Sequence, residues 1–146
     1  MVRTVLRYVL AVFMMTAGVL HFVADYLFVQ IVPPFLPWAY PIVWISGVIE
    51  FALGAALLVP KYRRLASLGL VALFIAVFPA NIYMAVANVQ VHDLPSGVHQ
   101  PSETSLWLRL PLQFLLILWA YRVGRDDKRA VLSTPAAPSQ PRAAVG

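Results

Sequence analysis

The sequence predicts an all-α membrane protein, a bundle of four transmembrane helices with both termini on the cytoplasmic side. Three observations carry this reading. Of the 146 residues, 61% are hydrophobic and only 12% are charged, against about a quarter charged in a typical soluble domain. Four segments, residues 4–24, 40–60, 65–88 and 106–124, are long and apolar enough to cross a bilayer, which takes about 20 mostly apolar residues. The basic residues gather at alternate ends of these segments. Cysteine is absent, so disulfides, thiol exchange and cysteine metal sites are excluded.

The first span opens with "MVRTVLRYVLAVFMMTAGVLHF". Its basic start resembles a secretion signal, but the apolar run is too long for an h-region and no small-x-small cleavage site follows. It is expected to be retained as a helix, with Arg3 and Arg7 just ahead of it. The connection "QIVPPFLPWAYP" holds Pro33, Pro34, Pro37 and Pro41, which oppose continuous helix and favour an extended or tightly turned path along the bundle rim. The second span, "PIVWISGVIEFALGAALLVP", carries one ionisable residue, Glu50, near its middle. Ser46, Glu50 and Gly54 recur at i, i+4 and i+8, with Gly47 at i−3. Small residues beside a carboxyl group let neighbouring helices approach, so this face is expected to point inward.

A short turn with Lys61, Arg63 and Arg64 leads to the third span, in which Pro79 stands two residues before Asn81. The fourth span contains "WLRLPLQF". There Arg109 and Gln113 share a face, and Pro111 reads as a residue of helix initiation. Residues 1–125 thus form one transmembrane domain. Residues 126–146, ending in "STPAAPSQPRAAVG", are Pro- and Ala-rich and are expected to form a disordered cytoplasmic tail.

All but one of the 11 Lys and Arg residues fall on one side of this layout. The opposite loops, 25–39 and 89–105, hold Asp25, Asp93 and Glu103 but no Lys or Arg. The positive-inside rule then sets both termini in the cytoplasm, with a bacterial inner membrane as the expected location. Membrane topology also accounts for the net charge of +5, so no nucleic-acid partner is expected. Tyr26, Trp38, Tyr40 and Trp107 fall near one boundary and Tyr62, Trp119 and Tyr121 near the other, as interfacial aromatic belts do.

The strongly polar residues within the spans are His21, Glu50, Asn81, Arg109 and Gln113. A charge at the centre of a membrane helix costs about 2.5–3.5 kcal/mol on insertion scales, so these groups are expected to gather rather than face lipid singly. Their depths allow a meeting in the outer half of the bundle. Two readings follow. In one, a Glu50–Arg109 pair holds the helices in register. In the other, the five residues line an outward-facing pocket for proton exchange or a small ligand. The proximity of Arg109 to Glu50 decides how firmly the carboxylate is neutralised. In the outer loop, His92, Asp93, His99 and Glu103 lack metal-ligand spacing, and no metal site is expected. GxGxxG, P-loop, HExxH and GxSxG motifs are absent, and no covalent cofactor or catalytic residue is assigned.

The ordered fragments "GVLHF" (18–22), "SGVIE" (46–50), "LLVP" (57–60), "FPANIYMA" (78–85), "RLPLQ" (109–113) and "WAY" (119–121) resemble the DoxX-like family of small four-helix membrane proteins. That resemblance implies a subunit of a redox-linked membrane assembly. Its ligand would be a quinone, and its partner a membrane or soluble oxidoreductase. Under it, His21, Asn81 or Gln113 would bond the ligand carbonyls, Arg109 would stabilise negative charge and Glu50 would exchange protons. A non-enzymatic scaffold or assembly factor is the competing reading, and a small-solute or proton transporter the third. Lipid and a second copy of the chain are the remaining partners considered.

Overall fold

The structure, a computed structural model, describes residues 2–125 and is all-helical there. Five helices follow in order: α1 Val2–Val23, α2 Asp25–Val29, α3 Ala39–Leu58, α4 Arg63–Val86 and α5 Glu103–Arg125. α1, α3, α4 and α5 are each long and apolar enough to cross a membrane. Their 20 to 24 residues rise about 30–36 Å at 1.5 Å per residue, the thickness of a hydrocarbon core. Large apolar side chains cover the outside, among them Phe13, Ile45, Leu65, Ile75 and Phe114, as expected where lipid is the solvent. The four expected spans are therefore present, with ends shifted by up to three residues. The expected tail, 126–146, lies outside the described residues.

Local chemistry sets the ends. Trp38 enters α3 in the left-handed region (φ 63°, ψ 53°) with no side-chain cap. Pro41, the third residue of α3, needs no backbone donor in a first turn. The helix stops at Leu58 because Val59 precedes Pro60 and takes the extended conformation that a following proline favours. α2 lies in the loop expected between the first two spans, just ahead of its proline-rich stretch. After a bend at Ala24, residues 25–29 resume helix and the Phe28 ring folds back onto His21. The sequence has no Pro or Gly between Ala24 and Pro33 to prevent this, and that was the available signal.

The long helices run antiparallel in chain order, and two seams dominate. Along α1 the buried residues are Arg7, Leu10, Ala11, Met14 and Gly18; along α3 they are Val43, Gly47, Glu50, Gly54 and Leu57. The alternating steps of three and four are those of interlocking helices. Glycines bring the backbones close: a methyl added at Gly47 would lie 2.6 Å from His21 Cβ and 2.9 Å from the Gly18 carbonyl oxygen. α4 and α5 form the second seam, closed near the basic end by Ser67 Oγ donating to the Ala120 carbonyl at 2.6 Å. α3 joins the seams by packing on α4, while α1 and α5 meet only lightly.

Pro111 corrects an expectation. Because α5 starts at Glu103, Pro111 lies in its interior rather than at its initiation. Pro79 likewise sits inside α4. Arg3 and Arg7 also lie within the first helix rather than ahead of it, and Arg7 is buried.

Candidate functional site

The five polar candidates divide into two groups and one outlier. His21, in the last turn of α1, meets Glu50 of α3: Nδ1 lies 3.5 Å from Oε2, and both side chains are nearly buried. The same Nδ1 is 2.8 Å from the Ala17 carbonyl oxygen. A carbonyl only accepts, so Nδ1 carries the hydrogen and directs it to Ala17. Glu50 Oε2 is consequently buried with no hydrogen-bond donor. Gly18 and Gly47 make this meeting possible, since any side chain there would hold α1 and α3 apart.

α2 covers the pair. The Phe28 ring stacks on the His21 imidazole with centroids 4.0 Å apart and planes 22° from parallel. Trp44 Nε1 donates to Asp25 Oδ2 at 3.1 Å, tying the start of α2 to α3. At its other end, Gln30 accepts from the His92 backbone N–H at 2.7 Å and donates to the His92 carbonyl at 3.2 Å. Gln100 in turn exchanges both of its amide functions with the backbone of Val91. None of these covering residues was picked out from sequence; only their shared side of the membrane was legible.

The second group is Asn81 and Gln113, across the α4–α5 seam. Asn81 Nδ2 donates to Gln113 Oε1 at 3.1 Å, and Gln113 Nε2 donates to the Phe74 carbonyl at 2.7 Å. Pro79 lacks the N–H that would bond the Ile75 carbonyl, and its ring disturbs the preceding turn. Gln113 inserts beside this breach. Two neutral amides therefore satisfy one another and a loosened backbone.

Arg109 joins neither group. The residue is exposed overall, and its guanidinium reaches Met84, Nη1 to Sδ 3.7 Å. The expected Glu50–Arg109 pair is not formed, because α5 packs on α4 and turns Arg109 away from α3. Ser46, expected on the interior face, is half-buried and donates to its own helix at the Val43 carbonyl, 2.8 Å away. Among the described residues no three His, Asp or Glu side chains gather closely enough to hold a metal ion. A cavity of about 1060 Å³ opens at the basic end, and none of the five candidates lines it.

Residues 10–124 match the family described as Domain of unknown function (DUF8561). The chain belongs to the DUF8561 family. The DUF8561 region takes in both seams and all five polar candidates. No curated protein and no solved structure matches the chain.

Proposed function

We propose that this DUF8561 protein is an integral membrane subunit of a redox-linked assembly, and that its His21–Glu50 pair binds a quinone in its reduced, hydroxyl-bearing form. The observation that carries this reading is the buried Glu50 Oε2 without a donor. A buried acceptor left unsatisfied costs about 1–3 kcal/mol, and a ligand that brings its own O–H removes that cost. The exposed position of Arg109 takes it out of the ligand's reach. The site therefore suits a hydroxyl better than the carbonyl acceptors of an oxidised quinone. Oxidation of the quinol releases two protons and two electrons: Glu50 receives the proton of the hydroxyl it binds, the opposite hydroxyl gives its proton to solvent, and both electrons pass to an oxidoreductase partner. The ordered fragments shared with DoxX-like proteins support the redox setting. The distribution of basic residues supports cytoplasmic termini in a bacterial inner membrane, which puts the pair in the outer half of the bilayer.

Titration of purified protein with a short-chain quinol tests this. Glu50→Gln is expected to weaken binding about tenfold or more, the loss of a charge-assisted hydrogen bond, and Arg109→Ala to leave it unchanged. Equal binding by wild type and Glu50→Gln, or none by either, would sink the site. A scaffold role is the second reading, and the self-satisfied Asn81–Gln113–Phe74 network favours it for the α4–α5 half. It predicts that variants change stability or partner recovery with no ligand response.

A further inference from the structure

At the basic end, the light contact between α1 and α5 leaves the cavity of about 1060 Å³. Arg3 of α1, Arg64 of α4 and Arg122 of α5 line it, together with leucines such as Leu6, Leu68 and Leu118. Three helices thus bring guanidinium groups to one mouth whose walls are apolar. Two further donors at this end lack acceptors, one of them in the cavity. Trp119 lines the cavity, and its Nε1 is buried with no partner. Arg7, only 8% exposed, lies one turn beyond Arg3 on the same face of α1, and its Nε is also buried without a partner. Among the described residues no carboxylate pairs with Arg7, Arg64 or Arg122.

We infer that this cavity is a binding site for one anionic phospholipid of the adjoining leaflet. The phosphate is drawn to Arg64 and Arg122, the unpartnered donors add acceptor demand, and an acyl chain follows the leucine wall out between α1 and α5. Charge complementarity selects the anionic headgroup; the apolar wall selects a lipid over a soluble phosphate. The cavity exceeds the size usual for drug-sized ligands, about 300–1,000 Å³, and suits a headgroup with the upper part of its chains. The site lies at the opposite end of the bundle from the His21–Glu50 pair and does not depend on it.

Native mass spectrometry in detergent, with titration by phosphatidylglycerol or by phosphatidylcholine of the same chains, tests the inference. One phosphatidylglycerol per chain is expected to bind at least about tenfold more tightly than phosphatidylcholine. Each of Arg64→Gln and Arg122→Gln is expected to weaken it about fivefold. Lys61→Gln removes the same charge from the same end without touching the cavity and is expected to change nothing. Glycerophosphate, which has no chains, is expected not to compete. Equal binding of the two lipids by the wild type would overturn the site without recourse to any variant. So would a loss in Lys61→Gln as large as in Arg64→Gln, which marks diffuse surface charge, or full competition by glycerophosphate.

Discussion

The two seams of the bundle solve the same problem in opposite ways. Each buries polar side chains between antiparallel membrane helices. Between α4 and α5 the groups are neutral amides, and their hydrogen bonds close on one another and on the Phe74 carbonyl. Between α1 and α3 the groups are ionisable, and the imidazole gives its hydrogen to Ala17 while Glu50 Oε2 goes without. A closed network is what stability alone would select, because unsatisfied groups are costly in low dielectric. An open one, held in place by close-packed glycine backbones and covered by Phe28, is better explained by something that binds there.

Five substitutions break or sharpen this contrast. Gly47→Val should have the largest effect. It forces Cβ into His21 and the Gly18 backbone, and a loss of about 3 kcal/mol is expected from such overpacking, read as a fall in thermal midpoint in detergent. Gly69→Ala meets only the Leu53 side chain, which can turn aside, and is the mild counterpart. Next, Gln113→Leu should cost about 2 kcal/mol, because it strands Asn81 Nδ2 and removes the hydrogen bond to the Phe74 carbonyl, while quinol affinity stays as in the wild type. Glu50→Gln should show the reverse. Stability is expected to hold or to rise by about 1 kcal/mol as a buried charged acceptor is replaced by a neutral amide, while ligand binding weakens about tenfold or more. A destabilised Glu50→Gln with unaltered binding would make both seams structural. Arg109→Ala should be the smallest, below about 0.5 kcal/mol for an exposed side chain in the same thermal measurement.

Position along the helix axis was legible in the sequence; direction around it was less so. Hydropathy and charge placed the four spans to within three residues and put His21, Glu50, Asn81, Arg109 and Gln113 at workable heights. Arg109 was set beside Glu50 because height alone allows it, yet nothing in hydropathy says that α5 packs on α4 rather than on α3. The α1–α3 pairing did leave a trace. The steps 7, 11, 14, 18 in one segment match 43, 47, 50, 54 in the other, with Gly18 facing Gly47. Read as complementary stripes, they would have paired the first segment with the second and set Glu50 against it rather than against Arg109. Pro111 misled for a simpler reason: the helix begins three residues earlier than its first strongly apolar stretch, so a proline near the expected start is interior.

The two-way grip of Gln30 on His92 has a kinetic meaning. α2 is tied at one end to α3 through Asp25 and at the other to the connection between α4 and α5. Phe28 cannot swing off His21 far without loosening one of these ties. Arrival and departure of anything bound at Glu50 should then wait on the same rare opening. Freeing Gln30 by substitution with alanine would raise both rates together, by about tenfold for two hydrogen bonds of about 0.5–1.5 kcal/mol each, and leave the dissociation constant where it was. The cover would act as a clock on the site and have no influence on its affinity.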